Sequence, residues 1–152
     1  VISGGSNGGL LVGAAMVQRP DLFAAVLCEV PLLDMLRYHL FLQGPQWVPE
    51  YGSAEDPGQF KALYAYSPYH HVDPKGSYPA VLFVTGDADT RVAPLHARKM
   101  TALLQSLPNQ TRPVMLYYET EVGHSGGEPV SKQVDRRSRV LAFLFHEAAL
   151  DK

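Results

Sequence analysis

A serine, two aspartates and a histidine stand in three short glycine-bearing segments of this chain, and together they could share one reaction. Ser6 lies in Gly4-Gly5-Ser6-Asn7-Gly8, a Gly-x-Ser-x-Gly pattern. In a nucleophile elbow of that pattern a strand turns so sharply into a helix that the serine hydroxyl is exposed in strained backbone geometry. The flanking glycines are expected where a Cβ would collide with a neighbouring strand or helix. Asp87 and Asp89 follow Gly86, and His124 lies in Gly123-His124-Ser125-Gly126-Gly127. A hydroxyl is a poor nucleophile near neutral pH. A histidine, with an ordinary pKa of about 6.5, can take its proton and return it to a leaving group. A carboxylate on the far ring nitrogen sets the tautomer and stabilises the imidazolium. The chemistry this predicts is acyl transfer through Ser6, with the backbone N–H of Asn7 meeting the oxyanion. Each segment also has an ordinary reading: a flexible Gly/Ser turn, an aspartate that caps a helix, a surface histidine.

The surrounding pattern supplies elements to position these groups. Val1-Ile2 reads as the end of a strand, and Leu10, Leu11, Ala14, Ala15 and Val17 predict a helix stopping at Arg19-Pro20. Residues 23–30 read as a buried strand closed by Pro31. Leu32 to Leu42 has apolar and aromatic residues at helical spacing up to Gly44-Pro45. Residues 46–57 read as a loop holding Trp47, residues 60–66 as a short helix, and residues 69–78 as a connecting loop. Residues 79–86 are apolar on both faces, as a central parallel strand should be. A helix over 94–107, a strand over 114–118 and a long amphipathic helix over 129–150 complete the chain.

Strand and helix alternate throughout, which predicts an α/β fold with a mostly parallel sheet and helices on both faces. Ser6, the Asp87/Asp89 pair and His124 each follow a strand's carboxyl end, the edge where such sheets bind ligands. Their order, Ser, Asp, His, is that of the α/β-hydrolase triad. The other histidines, His39, His70, His71, His96 and His146, are read as structural or surface residues, with no zinc-ligand spacing.

With 152 residues the chain can bury one core, and its 46% hydrophobic and 18% charged content is that of a globular domain. A net charge of −2 gives no reason to expect nucleic acid or an anionic membrane as partner. The single Cys28 excludes an internal disulfide, and its apolar surroundings predict a buried, inert thiol. No cofactor and no metal are expected. A strand stub at Val1-Ile2 without an initiator methionine reads as the start of a fragment. The cytoplasm is the expected compartment, although any signal would have preceded Val1.

Four segments resemble the prolyl oligopeptidase family. Gly4 to Val12 is similar to its nucleophile segment, Gly86 to His96 to its acid loop, and Gly123 to Gly127 to its histidine loop. Trp47-Val48-Pro49-Glu50-Tyr51-Gly52 is similar to the wall of its proline pocket. The resemblance spans essentially the whole chain. It implies a serine peptidase of α/β-hydrolase fold that cleaves short peptides after proline, with Ser6, Asp89 and His124 as the triad. It thereby favours Asp89 over Asp87. It implies Asn7 as oxyanion donor, Trp47 as the indole stacking on the substrate proline, Tyr51 and Val92 as pocket walls, and Arg91 as a donor to a substrate carbonyl. It further implies that residues 1–152 are the C-terminal part of a catalytic domain. The upstream strands, a second oxyanion donor and a β-propeller would lie in the missing N-terminal part of the same protein, and the fragment alone would be weak or inactive. The competing readings are a related peptidase of basic specificity or an esterase on the same fold. A non-catalytic binding module would be expected to have lost one of the three residues.

Overall fold

The strand at the centre of the molecule, Ala80–Gly86, is buried along its whole length. In the computed structural model, which describes residues 1–124 and 128–148, it is β3 of a four-stranded sheet. The others are β1 (Ile2–Gly5), β2 (Ala25–Glu29) and β4 (Val114–Glu119), in the order β1-β2-β3-β4 and parallel at every step. The helices are α1 (Asn7–Gln18), a short α2 (Val48–Tyr51), α3 (Pro57–Tyr66), α4 (Leu95–Gln105) and α5 (Val130–Glu147).

A chain that steps across a sheet in one direction, with right-handed crossovers, sends every crossover to the same face. α1 and α4 accordingly share a face. Val12 and Met16 of α1 and Ala97, Met100 and Leu104 of α4 pack on Val26, Cys28, Val81 and Phe83. The alternate strand residues, Ala25, Leu27, Ala80, Leu82 and Val84, meet Val140 and Phe143 of α5 on the opposite face. Two buried faces explain the unbroken apolar runs of β2 and β3, each large side chain contributing roughly 1.5–3 kcal/mol by burial. Cys28 is buried, which pushes its thiol upward, as expected of an inert core cysteine.

The strands and the longer helices follow the predicted alternation; the segment between β2 and α3 departs from it. No α-helix forms over Leu32–Leu42; only a 3₁₀ turn, Tyr38–Leu40, is present. The start of the segment is tied to distant residues instead, and the Leu33 carbonyl, which a helix would pair with the N–H of Arg37, is taken by Tyr69. The N–H groups of Leu33 and Asp34 point at His96 Nδ1 (3.4 and 3.1 Å), Met35 N–H donates to Ser67 Oγ, and Leu33 C=O accepts from Tyr69 N–H. The buried Asp34 carboxylate binds Lys99 and Arg37. Gly44 is required at the following turn, since a Cβ there would stand 1.9 Å from the Tyr38 carbonyl oxygen. The stretch read as a loop after it contains a 3₁₀ turn, Gly44–Trp47, and α2. The expected end of the last helix, at Leu150, lies outside the described residues.

His96 generates a pH prediction. Burial lowers its pKa to about 4, with Asp34 acting in the opposite sense and Lys99 in the same one. A neutral imidazole in the fold and an ordinary one in the unfolded chain mean that the unfolded state binds more protons between these values. The contribution of His96 is therefore complete above about pH 6.5 and is lost as pH falls through about 4, on the order of 3 kcal/mol in all. His96→Asn keeps an acceptor at that position without the titration. Its urea midpoint is expected to fall less than that of the wild type between pH 7 and pH 4.5.

Candidate functional site

Ser6 occupies the single residue between β1 and α1, and its backbone shows why the turn can be so tight. Its φ of 56° and ψ of −119° lie where non-glycine residues rarely go, at a cost on the order of 1–3 kcal/mol. Ser6 N–H donates to the Glu29 carbonyl at the end of β2 (2.9 Å), and Ser6 C=O accepts the first N–H bond of α1, from Leu10 (3.1 Å). A Cβ on Gly4 would stand 2.2 Å from the Gly8 carbonyl oxygen, so strand and helix approach as closely as the elbow pattern requires. Gly8 itself faces open space, contrary to the expectation that both flanking glycines avoid a collision. The second crowded position is Gly9, where a Cβ would come within 2.9 Å of Pro31 Cα. No side chain caps α1 and no acid lies in its first turn, so its positive end is left for a ligand.

The three loops converge on this hydroxyl. His124 Nε2 is 3.1 Å from Ser6 Oγ, and His124 Nδ1 is 2.8 Å from Asp89 Oδ2. A carboxylate only accepts, so Nδ1 carries the proton and Nε2 is left to accept from Ser6. Asp89 is itself held firmly. Its side chain is fully buried, and its other oxygen accepts the N–H groups of Arg91 and Val92, each at 2.9 Å. Asp87 does something else: its Oδ1 accepts the N–H of Glu121 at 2.6 Å, steadying a residue with φ of 60° at the start of the histidine loop. That is the turn-forming alternative for Asp87. Ser125, Gly126 and Gly127 of the histidine segment lie outside the described residues.

Beside the hydroxyl, Leu10, Leu32, Met35, Tyr38, Leu63 and Val92 form a third apolar cluster, with Trp47 and Tyr51 packed against it. Arg91 does not pair with Asp87; its guanidinium lies 5.7 Å from the centroid of the Trp47 ring, a cation–π contact. Tyr51 O–H donates to Asn7 Oδ1 (2.9 Å), linking the pocket segment to the residue after Ser6. Val92 is buried within that cluster. All eight residues singled out in the sequence thus lie around one end of the sheet.

Sequence reading missed a charged group behind this site. Arg136 of α5 binds Glu119 and Glu128, and it faces inward because it precedes Val140 and Phe143 by four and seven residues on the same helix face. That spacing was the available signal. Partial burial opposes the charge on Arg136, but hydrogen bonding and attraction from the two glutamates outweigh it and raise its pKa. Among the described residues no cluster of three or more His, Cys, Asp or Glu could hold a metal, and no helix is long and apolar enough to cross a membrane.

A parallel sheet with helices on both faces, and a serine on a strained strand-to-helix turn, define a partial α/β-hydrolase fold. A family model of the prolyl oligopeptidase family matches residues 1–151. The prolyl endopeptidase of Elizabethkingia meningoseptica is 40% identical over 98% of this chain, and that of Dictyostelium discoideum 41% identical over 94%. The chain spans only 21% and 19% of those relatives. A solved prolyl endopeptidase superposes with a TM-score of 0.93 at 54% identity over 95% of this chain and 21% of its own. A post-proline cleaving enzyme from Rickettsia typhi gives 0.93 at 38% identity over 99% of this chain and 22% of its own. This chain belongs to the prolyl oligopeptidase family.

The geometry separates the two aspartates. Asp89→Asn cannot accept from His124 Nδ1 and from the two backbone N–H groups in the same way, and the reactivity of Ser6 towards a fluorophosphonate is expected to fall by up to about 10⁴. Asp87→Asn keeps an acceptor for Glu121 and is expected to lose less than tenfold. Labelling rates of the two variants measure the difference.

Proposed function

We propose that this chain is the C-terminal part of the catalytic domain of a serine peptidase that cleaves short peptides on the carboxyl side of proline. The observation that carries the reading is the hydrogen-bonded series Ser6–His124–Asp89 beside the apolar cluster under Trp47. Ser6 Oγ attacks the scissile carbonyl while His124 Nε2 takes its proton, and Asp89 stabilises the imidazolium. The Asn7 N–H, at the start of α1, donates to the oxyanion. His124 then protonates the leaving amine, and water hydrolyses the acyl-enzyme with His124 as base. A flat indole gives the proline ring broad apolar contact without asking for an N–H that proline lacks. Arg91, held over that indole, has N–H groups to offer a substrate carbonyl.

A pocket of basic specificity would need a carboxylate facing the substrate. Glu50 and Glu55 are both exposed, and the cluster under Trp47 is apolar. The polypeptide beyond this chain is proposed to supply the remaining strands, a second oxyanion donor and the restriction to short peptides. The chain alone is accordingly proposed to be weak or inactive.

Two measurements on the complete enzyme test the reading. A fluorophosphonate is expected to label Ser6, and Ser6→Ala to abolish labelling and lower turnover by on the order of 10⁶. Trp47→Ala is expected to lower kcat/KM for a prolyl amide ten- to a hundredfold, the scale of a lost aromatic contact of roughly 1.5–3 kcal/mol. Hydrolysis of a small activated ester should change far less. An unchanged ratio of prolyl to ester activity would remove proline from the function.

A further inference from the structure

We propose that Arg136 is a positioning residue for the reaction: one guanidinium ties both ends of the loop that carries His124 to α5. This rests on the reading of His124 as the base. Glu119 is the last residue of β4, where the loop leaves the sheet, and Glu128 stands just before α5, where the loop ends. Arg136 Nη1 donates to Glu119 Oε2 at 3.2 Å and to Glu128 Oε1 at 3.1 Å, while Nη2 lies 3.0 Å from Glu128 Oε2. The carboxylates of Glu119 and Glu128 are only 7% and 5% exposed. Arg136, His124, Glu119 and Glu128 line one cavity of about 240 Å³, together with Gly5 and Val30 beside Ser6.

A surface ion pair would do little here, because solvent and side-chain entropy offset it. This group differs in two respects. Its carboxylates are withdrawn from water, so removing the cation leaves two unpaired charges facing one another inside the protein. Its geometry is also two-pronged: a planar fork meets Glu128 with both nitrogens while one of them also reaches Glu119. The first end of the loop has further ties, from Asp87 to Glu121 N–H and from Ala88 N–H to the Val122 carbonyl. Glu128 is held by Arg136, with its carbonyl accepting from Gln133 of the same helix. Loss of Arg136 therefore releases the second end first, and with it the placement of His124 Nε2 against Ser6 Oγ. A displacement of about 1 Å between reacting groups can cost on the order of a hundredfold in rate.

The test compares wild type, Arg136→Met, Arg136→Lys and Glu128→Gln in the complete enzyme. It follows the labelling rate of Ser6 by a fluorophosphonate per folded molecule, kcat and KM for a prolyl amide, and the melting temperature. Arg136→Met is expected to slow labelling and kcat together, about ten- to a hundredfold, with KM within about twofold. Arg136→Lys keeps the charge without the fork and should recover part of the loss, and Glu128→Gln should show a smaller loss of the same kind. Labelling of Arg136→Met at the wild-type rate, with only a lower melting temperature, would overturn the proposal. If Arg136→Met does not fold, Arg136→Lys and Glu128→Gln decide: wild-type labelling in both would equally overturn it. A wild type that is not labelled at Ser6 would instead refute the peptidase reading itself.

Discussion

The close passage of β1 against the start of α1 is the constraint on which the site depends. Gly4 and the Gly8 carbonyl are so near that no side chain fits between them, and the connecting residue, Ser6, is driven to positive φ. The strain persists because β1 is paired with β2, Ser6 N–H is bonded to the Glu29 carbonyl, and α1 is anchored by Val12 and Met16 in the core. These bonds over-determine the turn, which is the condition under which backbone strain survives.

From that turn outward, the order of the parallel strands does the rest. β1, β3 and β4 each release a loop at the same edge, and neighbouring loops are cross-tied. Asp89 is fixed by the N–H groups of Arg91 and Val92, and Asp87 reaches across to the backbone of the histidine loop. Gly86 lets the loops touch, since a Cβ there would stand 2.1 Å from the Val122 carbonyl oxygen. The series of hydrogen bonds from Asp89 through His124 to Ser6 is thus fixed at its Asp89 end by backbone N–H groups.

The segment between β2 and α3 behaves differently. It is held to the body of the protein largely by side chains rather than by a ladder: Asp34 with Lys99, His96 with two backbone N–H groups, Ser67 with a third. Tyr51 then joins it to Asn7, the residue after Ser6. The Trp47 segment and the Ser6 turn are therefore mechanically connected through a few polar contacts, set over an apolar cluster that leaves Trp47 half-buried.

The sequence by itself determined the strand–helix alternation, the elbow at Ser6 and the placement of Asp89 and His124 after strands, because these rest on local chemistry and on the period of apolar residues. Asp87 and Asp89 could not be told apart by that route. Both are aspartates in one short loop, and only the fold shows that one faces the imidazole and the other the backbone at Glu121. Leu32 to Leu42 carries helical spacing yet forms no α-helix: the Leu33 carbonyl a helix would use accepts from Tyr69 N–H, and the neighbouring N–H groups donate to His96 and Ser67, residues distant in sequence. Arg136 looked like one charge among several on a long amphipathic helix. Its spacing from Val140 and Phe143 put it on the inward face, but its pairing with Glu119 and Glu128 was decided by tertiary structure, because folding alone brings those partners together.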